Sequence, residues 1–144
     1  DHLEHASLAS LEKMAARGTV AGLLPGAFYY LRDKHAPPVE RLRALGIPMA
    51  VATDCNPGTS PMTSLLLAMN LACVLFGLTP VEALRGVTRN AAKALGLEHD
   101  RGQLSVGARG DLAIWRIRHP DQLCAEIGMH RPVEVVIGGR SANG

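Results

Sequence analysis

Apolar residues recur at helical spacing over residues 8–17, at Leu8, Leu11, Met14 and Ala15, and Gly18 supplies a stop, which predicts a helix of about three turns. The pattern changes at residues 19–24, a short, partly β-branched apolar run ended by Pro25-Gly26, which reads as a strand entering a loop. Residues 39–45, bracketed by Pro37-Pro38 and Gly46, read as another helix, and residues 48–53 as the next strand. Helix, strand, helix, strand with short connections predicts βα units and a parallel sheet, in which right-handed crossovers set the two strands side by side or nearly so.

Residues 65–76 form a long apolar helix for which Ser60 or Thr63 offers a cap. Thr79-Pro80-Val81-Glu82 is a capping-box pattern with proline at the first helical position, and that helix runs to Leu95 before Gly96. Beyond Asp100 glycines punctuate the chain, and residues 111–117 and 132–139 read as strands flanking a short, ambiguous helix at 121–127. This places a boundary near residue 100: residues 1–100 carry βα units and 101–144 a small β-rich module. Two or three strands cannot close a βα barrel, which needs eight, so the first part is expected to be the last portion of a larger α/β domain. The absence of an initial Met agrees with a truncated or partial sequence.

Composition narrows the function. With 47% hydrophobic and 19% charged residues the chain is globular rather than disordered. A formal charge of +2 without a basic tract, and only 3% aromatic residues, argue against nucleic acid as a partner. Cys55, Cys73 and Cys124 lie outside any CxxC pattern and suit reduced thiols in the cytoplasm. The longest apolar stretch, residues 65–78, is interrupted by Asn70 and Gly77 and is too short to span a bilayer, so no membrane role is expected.

The chemistry concentrates at Thr53-Asp54-Cys55-Asn56-Pro57-Gly58-Thr59. An acid at the carboxyl end of a core strand has to be solvated, hydrogen-bonded or bound to a cation, because burying it bare costs several kcal/mol. Asp54 is therefore either a metal ligand or general base, or an Asx-turn or N-cap aspartate before Asn, Pro and Gly. Asn56, Gly58 and Thr59 add polar groups and a backbone that a ligand can approach. His2 and His5 share one turn at the chain start and can share a metal or simply line a polar surface helix; His2 alone suits the end of a strand lying upstream. His35, His99, His119 and His130 read as solvated. Cys55 reads as a small, buried or half-buried side chain rather than a nucleophile. Phe28, Tyr29 and Tyr30 either line a pocket or form a packed loop rim.

The runs Asp1-His2-Leu3-Glu4, Leu23-Leu24-Pro25-Gly26-Ala27-Phe28, Ala52-Thr53-Asp54-Cys55-Asn56-Pro57-Gly58-Thr59-Ser60 and Gly86-Val87-Thr88-Arg89-Asn90-Ala91-Ala92 together resemble the C-terminal part of the imidazolonepropionase family of metal-dependent amidohydrolases. The likeness fades only after about residue 140, and the TDCNPGTSP run is its most specific part. The resemblance implies the C-terminal portion of a (β/α)8 TIM-like barrel followed by strands of a small β-sandwich. It implies hydrolytic opening of 4-imidazolone-5-propanoate to N-formimidoyl-L-glutamate in histidine degradation, with one divalent or trivalent ion, zinc or iron. By position, Asp54 matches the family's aspartate metal ligand and His2 its active-site histidine. Asn56, Gly58 and Thr59 match the loop that holds substrate or product.

The resemblance also implies that a His-x-His pair, a further metal-binding histidine, a nearby glutamate and the residues gripping the propionate precede Asp1, so that the chain alone is inactive. The alternatives are another amidohydrolase or deaminase, or a non-catalytic α/β packing or oligomerisation module in which Asp54 only caps a turn. The apolar helix at 65–76 leaves room for a homo-oligomer.

Overall fold

The computed structural model describes residues 1–142. Helix α1 spans Leu8–Ala16 and is capped by Ser7, whose side chain accepts from the Ser10 amide. Strand β1, Ala21–Leu23, pairs in parallel with β2, Met49–Val51, in the register Ala21 to Met49 and Leu23 to Val51. The expected side-by-side parallel strands are thus present, each three residues long. Between them lie α2, Pro25–Leu31, and α3, Val39–Ala44.

The expected loop at Pro25-Gly26 is instead the first turn of α2. Proline at N1 loses nothing by lacking an amide hydrogen there, and its fixed φ suits a helix start. Phe28 turns inward and packs edge-on against Phe76, ring centroids 5.1 Å apart, while Tyr29 and Tyr30 stay exposed.

Helix α4, Leu65–Phe76, is capped by Ser64, which accepts from the Leu67 amide at 3.2 Å, rather than by Ser60 or Thr63. Gly77 ends it in the left-handed conformation. The expected capping box is formed at α5, Pro80–Val87, with Thr79 and Glu82 exchanging bonds to each other's backbone. The single helix expected over 80–95 is broken at Thr88 into α5 and α6, Arg89–Ala94. Thr88 leaves helical geometry at φ −121° and ψ −96°, its hydroxyl donates to the Leu84 carbonyl at 2.7 Å, and Asn90 donates to the Met49 carbonyl of β2 at 2.9 Å. A tertiary bond to the strand thus ties the start of α6, which helical periodicity does not register.

Strand β3, Leu112–Ile114, helix α7, Gln122–Ala125, and strand β4, Glu134–Ile137, follow, each shorter than expected. A further strand, β5, Arg140–Ser141, returns antiparallel to β4 across Gly138 and Gly139, both at positive φ, giving a sheet ordered β3-β4-β5.

Leu11, Leu23, Leu42, Val51, Ala68 and Phe76 belong to the main core, which encloses the parallel sheet. A second cluster joins Met69, Ala83, Leu123 and Cys124, bringing α7 onto α4 and α5. Asn70, the polar interruption of α4, is buried and donates to the Cys124 carbonyl at 2.7 Å. Among the described residues no helix is long and apolar enough to cross a membrane.

Candidate active site

The chain leaves β2 at Val51, and three residues later Asp54 adopts φ +50°. An L-residue in the left-handed region costs roughly 1–2 kcal/mol, less for Asp and Asn than for bulkier side chains, so the surrounding loop has to hold it there. The local bonds come from Asn56. Its amide group donates to the Asp54 carbonyl at 2.7 Å and, more loosely, to the Asp54 carboxylate at 3.3 Å. Its side-chain oxygen accepts from the amides of Gly58 at 2.9 Å and Thr59 at 2.8 Å, and from the Thr59 hydroxyl at 3.2 Å. A bridge between Asn56 and Ser60 closes the loop.

The Asx-turn chemistry of this segment therefore belongs to Asn56. The half-buried Asp54 carboxylate accepts no backbone amide and caps no helix among the described residues; its one protein bond is the long one from Asn56. It is left open to a ligand, water or a cation. Cys55 beside it is exposed, against the expectation of a buried or half-buried thiol, because the turn at Asp54 carries the next residue outward. Cys124, by contrast, is buried, and burial pushes its thiol up to about 12.

At the chain start Asp1 lies against β1: a Cβ built on Gly22 would stand 3.3 Å from the Asp1 Cβ. His2 and Leu3 both adopt positive φ. The His2 ring is half-exposed, its Nδ1 3.8 Å from a Glu4 carboxylate oxygen. Thus His2 departs from beside β1, while Asp54 follows the carboxyl end of β2. The His5 ring stacks at a tilt on His35, centroids 5.4 Å apart.

Ligand chemistry sets a limit. A catalytic metal needs about three protein donors, and among the described residues no group of three or more His, Cys, Asp or Glu is placed to hold one. Asp54 fits the role of one ligand only, and the chain by itself does not fit a complete metal site.

Sequence reading took Ser60 only as a candidate helix cap and missed its place beneath this loop. It is 1% exposed, and its hydroxyl donates to the Thr53 carbonyl at 2.6 Å. The only local signal is a small hydroxyl residue closing the TDCNPGTS run; the space for its hydroxyl depends on the missing side chain of Gly26, distant in sequence.

Residues 1–142 match the model of the amidohydrolase family, and the chain belongs to that family. It is 56% identical over 143 residues to the imidazolonepropionase of Psychromonas ingrahamii, covering 99% of this chain and 36% of that protein. It is 58% identical over 139 residues to that of Paracoccus denitrificans, covering 96% and 34%. The chain thus spans about a third of the length of these curated relatives.

Solved structures share the fold at lower identity. The atrazine chlorohydrolase of Arthrobacter aurescens TC1, complexed with zinc, superposes with a TM-score of 0.83 at 23% identity, over 97% of this chain and 34% of that one. A zinc-bound adenosine deaminase from Xanthomonas campestris gives 0.77 at 24% identity, over 97% and 35%.

Proposed function

We propose that this chain is the C-terminal part of an imidazolonepropionase, which opens the ring of 4-imidazolone-5-propanoate to N-formimidoyl-L-glutamate. The observation that carries this reading is 56–58% identity to proteins of that name across nearly the whole chain. On this reading β1 and β2 are the last strands of a (β/α)8 barrel. Residues 1–100 belong to that barrel, and residues 101–144 to a small β-sandwich completed by chain outside this sequence. The ends of parallel strands are where such barrels keep their chemistry, which is where Asp54 stands.

Asp54 is one ligand of a zinc or iron ion, which when bound lowers the pKa of coordinated water; the other ligands are not supplied by this chain. The remaining proton handling falls to the chain's own groups. Asp54 takes a proton from the attacking water and returns it to the ring nitrogen whose bond to the carbonyl carbon breaks. The water oxygen remains in the new carboxylate. His2 donates to the oxyanion that forms on that carbonyl. The loop of Asn56, Gly58 and Thr59 faces substrate; since the Asn56 amide is engaged within the loop, its contribution is the shape of the backbone it holds. The three free thiols accord with a cytoplasmic enzyme.

The test is Asp54→Ala in the full-length enzyme, following loss of substrate and appearance of N-formimidoyl-L-glutamate. Turnover per folded molecule is expected to fall roughly a thousandfold, within the range ascribed to general acid–base groups. Wild-type turnover would overturn the assignment of Asp54. Hydrolytic deamination of aromatic amines in place of ring opening would instead favour a deaminase.

A further inference from the structure

We propose that Ser60, seated in a slot that only glycine at position 26 leaves open, is a positioning residue for Asp54; this rests on the catalytic reading of Asp54 above. The conformation of an α-carbon is set by the two peptide planes that meet there. The plane before Asp54 carries the Thr53 carbonyl, which accepts the Ser60 hydroxyl at 2.6 Å. The plane after it carries the Asp54 carbonyl, which accepts the Asn56 amide at 2.7 Å. Both planes flanking the left-handed φ of +50° are therefore held by side chains of the same loop.

Ser60 is itself immobilised. Its carbonyl accepts from the Asn56 amide at 3.0 Å and the Met62 amide at 2.7 Å, and its side chain is almost wholly buried. A Cβ built on Gly26 would stand 2.6 Å from the Ser60 hydroxyl oxygen, 2.6 Å from the Met62 terminal methyl and 3.5 Å from the Thr53 carbonyl oxygen. Met62 can swing aside, but the serine cannot move without releasing Thr53. The first turn of α2, which follows β1, thus sets where the hydroxyl sits beneath the loop that follows β2. Two neighbouring strands are coupled at the point where one of them delivers the catalytic carboxylate. A bond this short and buried is well suited to the task, because an error of about 1 Å in a reacting group can cost two orders of magnitude in rate.

The experiment is a double-mutant cycle in the full-length, metal-loaded enzyme with Ser60→Ala, Gly26→Ala and both together, rates being normalised to folded protein. Ser60→Ala is expected to lower kcat tenfold or more with KM within twofold, since the chemical group and not the substrate grip is displaced. Gly26→Ala is expected to do the same by pushing the hydroxyl off Thr53, yet to change kcat less than twofold in the Ser60→Ala background, where there is no hydroxyl left to push. A merely structural serine would give lower stability with unchanged kcat per folded molecule, or independent, additive losses; either result overturns the proposal. Should Gly26→Ala fail to fold, Ser60→Ala still decides by its kcat and KM per folded molecule; should Ser60→Ala fail to fold, Ser60→Thr, which keeps a hydroxyl, and Ser60→Cys, which does not, are compared in the same way. Asp54→Ala assayed alongside separates the two readings: full turnover there sinks both, whereas an inactive Asp54→Ala with wild-type Ser60→Ala sinks only the positioning role.

Discussion

In the parallel sheet Ala21 and Leu23 of β1 have no exposed surface and all of β2 is buried, whereas in the antiparallel sheet Leu112 and Ile114 of β3 remain 36% and 45% exposed. Parallel strands joined by helical crossovers have both faces covered, so apolar residues run on without alternation; antiparallel strands tolerate water on one side. The contrast bears on function because the two sheets offer different supports. Asp54 follows a strand packed against α5, α6 and α4, and Asn90 adds a bond to its first carbonyl. A catalytic group gains accuracy from being mounted on such an element rather than on a sheet whose faces are wet.

The largest stability effect is expected within the buried sheet. Leu23→Ala removes a side chain with no exposed surface from the centre of the main core and should cost about 2–5 kcal/mol, the range for leucine truncations that leave a cavity. Urea unfolding of the full-length protein measures it. A cost under about 1 kcal/mol would mean that the site relaxes freely and that β1 is not the rigid support described.

A smaller effect is expected at the edge of that core, where Arg43 of α3 reaches Glu82 of α5. The guanidinium donates at 2.7 and 2.9 Å and, with the Thr79 bonds, holds the Glu82 carboxyl down to about 2 from its usual 4.5. A depressed carboxyl stabilises the fold above its unfolded value and loses that contribution as pH falls through its folded value. At neutral pH, Glu82→Gln should therefore be less stable than wild type by on the order of 1 kcal/mol, the scale of a partly exposed ion pair together with a helix-end charge. The gap should hold down to about pH 4.5 and shrink toward pH 2, which paired thermal melts across that range would show. A gap independent of pH would remove the Arg43 pairing as its cause.

Much of the buried region was legible because its signals are local. Thr79 and Glu82 announce a helix start within four residues, and Ile47 to Ala52 is apolar without alternation, as a covered parallel strand must be. Two of the failures, at Pro25-Gly26 and at Thr88, involve a partner far away in sequence. Pro25-Gly26 has the composition of a turn, and only the closeness of Ser60 and Met62 explains why position 26 must be glycine. Thr88 breaks a continuous helical pattern where Asn90 is drawn to Met49. Position and residue type made Asp54 and its loop the candidate site. Spacing could not say that Asn56 would take the Asx-turn role and leave the aspartate's carboxylate open.

The smallest effect is expected on the antiparallel sheet, and it is the one that most sharpens the contrast. Ile137 of β4 is 53% exposed and pairs with Arg140 beside the glycine turn. Replacing it with threonine keeps a β-branched side chain suited to a strand and gives up little burial, so the change should stay within about 0.5 kcal/mol, as for exposed positions generally. Urea unfolding under the conditions used for Leu23→Ala gives a direct comparison. The chain spans about a third of its curated relatives, so the measurement in the full-length protein also reports on this sheet's surroundings there. A cost approaching that of Leu23→Ala would show that chain outside this sequence covers Ile137. The difference between a covered and a wet sheet would then describe this segment by itself, and the antiparallel strands would have to be counted as core.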